Sequence, residues 1–223
     1  MLREFELGAE QLDLSCFEQP LVLVDLETTG FKPDRDRIIE VAALRLEKGC
    51  KPRAFSTLVE HGKLSTGSAY IHGIYREMLR GAPRFVDTAS ILGELCQGAL
   101  MVAHNASFEE RFLKAELARA GGVWGQPRLC TLMLARRAFP HRKGRGAHSL
   151  DGISRELKVP VEGHHEAFSD VLMLYFVLCR MISKFKSHPQ FNKWLQASIR
   201  PSSNPSVWPK GAMKRVKLKS RYR

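Results

Sequence analysis

One apolar segment near the N-terminus carries two acidic residues and constrains the fold more than any other feature. It reads LVLVDLETTG from Leu21 to Gly30 and contains Asp25 and Glu27. Its apolar residues do not alternate with polar ones, which predicts a strand that is covered on both faces. Because side chains two positions apart on a strand point to the same face, Asp25 and Glu27 are expected to lie side by side.

Two neighbouring carboxylates on a buried strand need a compensating partner. Left unpaired, each would cost several kcal/mol of folding free energy, unless its pKa rose steeply or a cation lay between them. Mg²⁺ or Mn²⁺ resolves the conflict most directly, because these ions prefer hard oxygen ligands. The alternative is that the strand ends early and leaves both acids in solvent at a turn.

Two later segments carry acids where a strand ends or a helix begins. The first, MVAHNASFEERFL, predicts a helix that is capped by Asn105 and carries Glu109 and Glu110 in its first turns. The second, HHEAFSD, places Asp170 at the start of a strongly apolar helix. Ligand sites of α/β proteins lie at the carboxyl ends of strands, but a helix N-terminus also favours carboxylates that bind nothing.

The predicted elements give an α/β protein with a mixed sheet flanked by helices. Three consecutive strands with short connections predict an antiparallel meander, and the β-α alternation that follows adds further strands. We expect an N-terminal arm at residues 1–19, one folded domain at 20–184 and a basic, partly flexible extension at 185–223.

Positive charge is concentrated toward the C-terminal end of the chain. The 223 residues have a formal net charge of +12, and residues 171–223 contain 12 Lys and Arg but no Asp or Glu. Such asymmetry predicts a polyanionic partner, most often nucleic acid, with a solvated basic tail as the alternative. A second basic segment, HRKGRG from His141 to Gly146, predicts either contact with phosphates or a solvated loop.

Neither membrane insertion nor a disulfide framework is expected. No apolar run approaches the roughly 18 residues that a membrane-spanning helix requires. The cysteines are odd in number and lack CxxC spacing, which favours buried free thiols in a reducing compartment over a zinc site. They are Cys16, Cys50, Cys96, Cys130 and Cys179. We therefore expect a cytoplasmic protein with no membrane partner.

Three motifs together resemble those of the DEDDh family of 3′-to-5′ exonucleases, which includes the proofreading epsilon subunit of bacterial DNA polymerase III. The first, Asp-x-Glu-Thr-Thr-Gly, is present at Asp25–Gly30, and the second, His-Asn-Ala-x-Phe-Asp, corresponds to His104–Glu109. The third, His-x-Ala-x-x-Asp, is present at His165–Asp170. The second motif ends in Glu where the family has Asp, a departure that bears on metal geometry because Glu is longer by one methylene.

The resemblance implies an RNase H-like fold with a mixed five-stranded sheet, and hydrolysis of phosphodiesters with two Mg²⁺ or Mn²⁺ ions. Asp25, Glu27 and Asp170 would hold the first ion, and Asp25 with Glu109 the second. His165 would act as general base for the attacking water, since an imidazole pKa of about 6.5 suits neutral pH. The products would be nucleoside 5′-monophosphates.

The resemblance also implies a set of substrate contacts. They are Thr28, Phe31, Ile71, His72 and Phe108. Thr28 would meet the terminal 3′-hydroxyl, and the others would pack on the terminal sugar and bases, with core packing as the alternative for Phe108. The expected substrate is a single-stranded or frayed DNA 3′ end, in proofreading or repair, with a DNA polymerase subunit as partner. An RNA-trimming exoribonuclease and a catalytically weak module that binds nucleic acid or a polymerase are the alternatives.

Overall fold

The computed structural model describes residues 3–4, 6–8, 10–62, 65–67, 69–160, 166–202 and 204–209. Its strands are β1 (Arg3–Glu4), β2 (Leu21–Thr28), β3 (Ile38–Leu46), β4 (Arg53–Leu58), β5 (Leu100–Ala103), β6 (Arg128–Cys130) and β7 (Ile199–Arg200). Its helices are α1 (Ala69–His72), α2 (Arg76–Leu79), α3 (Phe85–Cys96), α4 (Ser107–Arg119), α5 (Thr131–Ala138), α6 (Leu150–Glu156), α7 (Ala167–Phe185) and α8 (Phe191–Ser198). This succession of strands and helices confirms the predicted α/β class.

All the described strands belong to one mixed sheet in the order β1-β4-β3-β2-β5-β6-β7. The strands β2, β3 and β4 form the predicted antiparallel meander, and β5 and β6 run parallel to β2. The expected count of five strands is too low, because β1 and β7, of two residues each, extend the two edges. Strands of two residues carry no periodic signal in the sequence. They form because β4 and β6 offer unpaired backbone groups at the edges of the sheet.

Strand β2 is buried on both faces, as its uninterrupted apolar run predicts. Leu21 and Leu23 pack in a core shared with α7, whereas Val22 and Val24 pack in a second core with α3 and α4. The central position of β2 in the sheet leaves it with a paired strand on each side as well. Toward the carboxyl end of β2 the burial decreases, and Asp25, Glu27 and Thr28 are half-buried.

Helix α4 begins one residue later than the predicted cap at Asn105 implies. This helix begins at Ser107 after Ala106, and Asn105 occupies a left-handed turn with a φ of 75°. Asn tolerates this conformation better than most residues, so Asn105 turns the chain from β5 toward α4 and is not its cap. Helix α6 is capped by Ser149, whose hydroxyl accepts a hydrogen bond from the N–H of Gly152.

Residues that precede and follow the central strands and helices in the sequence also pack against them. In the N-terminal arm, the N–H of Leu12 donates to the Tyr175 hydroxyl, which donates in turn to the carbonyl of Glu10. Near the other end, Val207 forms a β-bridge with Val123. The basic residues beyond position 209 lie outside the described residues, so the predicted flexibility and nucleic-acid affinity of that segment stay predictions.

None of the helices that the structure describes has the length and apolar character needed to cross a membrane. The five cysteines are free, and Cys96, Cys130 and Cys179 are buried as predicted, whereas Cys16 is half-buried and Cys50 is exposed. Burial raises the pKa of the Cys96 and Cys179 thiols to about 12, so both are protonated and unreactive at neutral pH.

Candidate active site

The carboxyl end of β2 contains a bulge and is followed by a tight turn. The pairing register between β2 and β3 shifts between Glu27 and Thr28, and such bulges re-aim side chains next to active sites. In the turn, the Thr28 hydroxyl donates to the carbonyl of Gly30 at 2.7 Å. The turn is packed closely at Gly30, because a Cβ atom there would lie 2.5 Å from a carboxylate oxygen of Asp36, and that side chain would have to shift. The ETTG part of the first motif therefore builds the turn that fixes the end of β2.

Three of the predicted metal ligands converge at this end of the sheet. Asp25 and Glu27 come from β2, and Asp170 comes from the first turn of α7, where the helix dipole favours a carboxylate. One carboxylate oxygen from each residue lies within 4.8 Å of the others. Acids that are far apart in the sequence are thus close enough in space to share one cation.

The fourth predicted ligand, Glu109, lies in the first turn of α4 and is buried, with 4% of its surface exposed. Its Oε2 atom has no hydrogen-bond partner among the described residues. Burial raises the pKa of Glu109 from 4.5 to about 8, although the charges of Arg128 and Arg111 lower it in part. A buried, unpartnered carboxylate oxygen is costly, and its presence is accounted for if that oxygen binds a cation.

The carboxyl group of Asp25 lies close to several other acids. Its pKa is raised well above the ordinary value of 3.8, first by burial and then by the negative charges of neighbouring acids. In decreasing order these are Asp170, Glu109, Glu27 and Glu40. Without a cation the carboxylates repel one another, whereas a divalent ion turns the same charges into favourable ligands. An all-carboxylate set among the described residues fits Mg²⁺ or Mn²⁺ better than Zn²⁺.

One buried acid beside this cluster, Glu40 of β3, is not among the site residues that the sequence predicts. It is fully buried and pairs across the sheet with Glu27. Its Oε2 accepts a hydrogen bond at 3.3 Å from the N–H of Ala167, the first residue of α7. Glu40 therefore fixes the start of the helix that carries Asp170. The available signal was an acid within the apolar run IIEVAA, the same anomaly that Asp25 presents in β2.

Two substitutions at Glu40 test this anchoring role. Glu40→Ala and Glu40→Gln both remove the charge, but only glutamine keeps an oxygen that can accept from Ala167. We expect Glu40→Ala to be less stable than Glu40→Gln by about 1–3 kcal/mol, because it leaves a buried donor unsatisfied. Urea unfolding of both variants measures the difference, and equal free energies of unfolding would show that this hydrogen bond does not anchor α7.

Three of the predicted substrate-contact residues present apolar surface near this end of the sheet. Phe31 and Ile71 are exposed, with 72% and 38% of their surface accessible. Phe108 is half-buried, and its ring centroid lies 6.4 Å from that of Phe31 and 4.8 Å from that of Phe112. One side of the Phe108 ring therefore packs on the core against Phe112, and the other side lies near the exposed Phe31. Core packing describes the inner side, and the outer side is available for stacking on a base.

The predicted substrate residue His72 is engaged in the protein's own hydrogen bonds. It is buried, its Nδ1 accepts from the N–H of Ile74 at 3.0 Å, and its Nε2 lies 3.2 Å from the carbonyl oxygen of Thr66. The adjacent Gly67 approaches the turn after β2 so closely that a Cβ atom on it would lie 1.8 Å from the Thr29 carbonyl oxygen. His72 thus holds this segment against the turn, and its direct contact with substrate stays a prediction.

The structure describes one of the two histidines that begin the second and third motifs, His104 but not His165. His165, the predicted general base, lies outside the described residues. His104 follows β5, and its Nδ1 lies 3.0 Å from the Thr131 hydroxyl while its Nε2 lies 2.8 Å from the His148 carbonyl oxygen. Burial lowers the pKa of His104 to about 4, so the ring is neutral at pH 7 and its Nε2–H donates to that carbonyl. His104 therefore joins the end of β5 to the start of α5 and to the loop before α6.

The architecture is that of exonucleases with the RNase H-like fold. Exonuclease X, in complex with duplex DNA that has a 5′ overhang, matches with a TM-score of 0.60 and 23% identity, over 78% of this chain and 99% of that chain. E. coli exonuclease I in complex with a dT13 oligonucleotide matches with a TM-score of 0.63 and 17% identity, over 74% of this chain and 41% of that chain. These matches confirm the fold that the motifs imply.

Comparison of sequences identifies the family. Residues 22–178 match the RNase T family model, described as exonuclease. The PolC-type DNA polymerase III of Lacticaseibacillus paracasei is 34% identical over 163 residues, which cover 72% of this chain and 11% of that protein. The DNA polymerase III subunit epsilon-like protein of Rhodobacter capsulatus is 30% identical over 195 residues, which cover 82% of this chain and 27% of that protein. The chain belongs to this exonuclease family, and it spans a minor part of the length of both relatives.

Proposed function

We propose that this protein is a divalent-metal-dependent 3′-to-5′ exonuclease that releases nucleoside 5′-monophosphates from DNA ends. The observation that carries the proposal is the convergence of Asp25, Glu27 and Asp170 within 4.8 Å of one another. The buried Glu109, whose charge raises the pKa of Asp25, adds a fourth carboxylate. Membership of the exonuclease family makes phosphodiester hydrolysis the reaction that such a cluster would serve.

The four carboxylates fit two Mg²⁺ or Mn²⁺ ions. Asp25, Glu27 and Asp170 would hold one ion, and Asp25 with Glu109 would hold the other. Divalent ions bound there would stabilise the charge that develops on the attacking and leaving oxygens of a phosphodiester. Glu109 in place of the family's Asp suits this role, because its Oε2 is buried and has no partner among the described residues.

The chain's own side chains orient the DNA end and move a proton. We assign His165 as the general base that takes a proton from the attacking water. The exposed Phe31 and Ile71, with the outer side of Phe108, pack against the terminal sugar and bases, and such stacking tolerates any base. Thr28 meets the terminal 3′-hydroxyl of the DNA strand. His72 holds the segment that carries Ile71 through its hydrogen bonds with Thr66 and Ile74.

DNA is favoured over RNA as the substrate. The relatives compared above are named as DNA polymerase III proteins, and the exonuclease X and exonuclease I structures hold DNA. We therefore propose a single-stranded or frayed DNA 3′ end as substrate, in proofreading or repair, and a DNA polymerase subunit as partner. A 3′-exonuclease that recognises a histone mRNA stem-loop has the same fold at 14% identity, so trimming of RNA is the alternative that the experiment must separate.

The proposal assigns catalysis to residues 20–184, which contain the range matched by the family model. The arm at 1–19 and the extension at 185–223 flank this catalytic domain, and the extension carries positive charge without a single acid. We assign to the extension a non-specific affinity for nucleic acid. A cytoplasmic location is part of the same proposal.

End-labelled oligonucleotides test the proposed reaction. A 5′-labelled DNA strand should shorten progressively from its 3′ end in Mg²⁺ or Mn²⁺ and release 5′-monophosphates, and EDTA should stop the reaction. The same sequence made as RNA, digested in parallel, separates the two substrate classes by kcat/KM. Early release of the 5′ label or internal cleavage would contradict the direction, and inertness toward both strands would favour a binding module.

A further inference from the structure

A short basic loop, residues 141–146, lies between α5 and α6 and contains no acidic residue. Two of its cations, Lys143 and Arg145, are exposed and form no ion pair with any residue that the structure describes. The third, Arg142, is used internally: it pairs with Glu156 and donates to the carbonyl of Ala147 at 2.8 Å. The loop therefore presents two uncompensated positive charges to solvent.

The ends of the basic loop are held by hydrogen bonds. Arg142 also donates to the carbonyl of Gly152 at 3.2 Å, and the Ser149 hydroxyl donates to the carbonyl of Gly146 at 2.8 Å. Gly144 and Gly146 have φ values of 96° and 75°, which other residues rarely adopt. A loop that is fastened in this way loses little conformational entropy when a ligand binds to it.

The residues just after the basic loop lie at the carboxyl end of the central strands, as the carboxylate cluster does. The carbonyl of His148, just after the loop, accepts a hydrogen bond from His104. In the parallel pairing of β2 with β5, Leu23 lies opposite Val102, so His104 is level with Asp25. Adjacent strands are about 4.8 Å apart, which puts the anchor of the loop one strand away from the cluster.

We propose that Lys143 and Arg145 bind the phosphates of the nucleic-acid strand upstream of its 3′-terminal nucleotide, which deepens the proposed exonuclease function and rests on it. The carboxylate cluster by itself repels a polyanion. Cations in this loop, whose C-terminal side is joined to the end of β5 through His104 and His148, attract the incoming backbone and set the direction in which it leaves the cluster. Arg136 of α5 is exposed and close enough to His104 to lower its pKa, and it extends the positive surface on this side.

The double variant Lys143→Gln/Arg145→Gln tests the proposal, with Lys48→Gln/Lys51→Gln as the matched control. The control removes the same charge from the exposed turn between β3 and β4, at the end of β3 remote from Glu40 and the cluster. Lys51 there pairs with Glu4 at 3.2 Å, in an exposed ion pair of the kind that contributes little to stability. Affinity is measured by fluorescence anisotropy on a single strand of about 12 nucleotides, in an Asp25→Asn background that prevents cleavage. Salt is varied from about 50 to 200 mM.

The slope of log affinity against log salt is negative, and its magnitude should be smaller by about 1.4 in the loop variant, since each of two phosphate contacts on a single strand contributes about 0.7. Over that salt range its affinity should therefore fall about sevenfold less than that of the control. In enzymes with Asp25 intact, the deficit of the loop variant in kcat/KM should be present on the longer strand and absent on a dinucleotide.

Equal salt slopes for the loop and control variants would overturn the proposal, as would an equal kcat/KM deficit on the dinucleotide. Failure of the proposed exonuclease function is a separate result, because it would show as absence of cleavage by the protein with Asp25 intact. The anisotropy comparison does not depend on cleavage, so the two failures are distinguishable.

Discussion

Replacing Asp25 with Asn is expected to lower the rate constant of 3′-end hydrolysis by about 10³-fold or more. Asp25 is the acid assigned to both ions, and asparagine keeps its shape while removing its charge. A loss of about 4 kcal/mol of transition-state stabilisation, in the range that metal ions supply, corresponds to that factor. Initial rates on a 3′-labelled oligonucleotide at saturating Mg²⁺ measure it.

Glu110→Gln is the matched control for Asp25→Asn. Glu110 lies next to Glu109 in α4 but pairs with Arg128 at 2.7 Å and is not part of the cluster. We expect its hydrolysis rate to stay within a few-fold of the wild-type rate. If Asp25→Asn kept activity within tenfold of wild type, or if Glu110→Gln lost as much, the carboxylates of the cluster would not be the catalytic ones.

The stability of the metal-free protein is expected to fall as the pH rises from about 6.5 to 8. The pKa of Glu109 is raised from 4.5 to about 8, so the folded state holds a proton that the unfolded state has released, and stability is lost as pH rises through this window. Each such proton is worth at most about 1.4 kcal/mol per pH unit. The raised pKa of Asp25 acts in the same direction.

The titration of His104 opposes this loss of stability below pH 6.5, so the decline is measurable only between about pH 6.5 and 8. Its pKa is lowered from 6.5 to about 4, so its contribution to stability is lost as pH falls below 6.5 and opposes that of Glu109 there. Thermal unfolding in EDTA between pH 5 and pH 8 measures the balance. Glu109→Gln should flatten the decline above pH 6.5, and Mn²⁺ should stabilise the wild-type protein more at pH 8 than at pH 6.5.

A wild-type unfolding temperature that rises between pH 6.5 and pH 8 in EDTA would contradict this account. So would a Glu109→Gln variant with the same pH profile as wild type. Asp13 does not confuse the result, because its pKa is lowered from 3.8 to about 2 and its effect on stability is confined to pH values below about 4.

Most of the cluster is predictable from the sequence because its signals are local. The run from Leu21 to Leu26 lacks alternation, and the structure buries β2 on both faces, so Asp25 stands out as an acid that needs a reason to be there. Asp170 and Glu109 each follow a recognisable boundary where a helix begins. In each case a few neighbouring residues suffice to place the acid at the end of an element.

The features that sequence analysis does not predict depend on contacts between distant parts of the chain. Glu40 anchors the start of α7 because the N–H of Ala167 reaches its carboxylate on β3, and no local sequence pattern predicts that contact. Residues 204–209 have the composition of a flexible segment, yet Trp208 packs so closely on Gly93 that a Cβ atom there would lie 2.7 Å from its ring. Such docking depends on the space that a distant glycine leaves, which periodicity and composition do not report.

Titration of Mn²⁺ into the metal-free protein, followed by calorimetry, tests the central claim most directly. The claim is that acids from β2, α4 and α7 together hold divalent cations. We predict saturable binding to the wild-type protein and to Glu110→Gln, and loss of that binding in Asp25→Asn and Asp170→Asn. Undiminished Mn²⁺ affinity and stoichiometry in Asp25→Asn, or no saturable binding to the wild-type protein, would contradict the account.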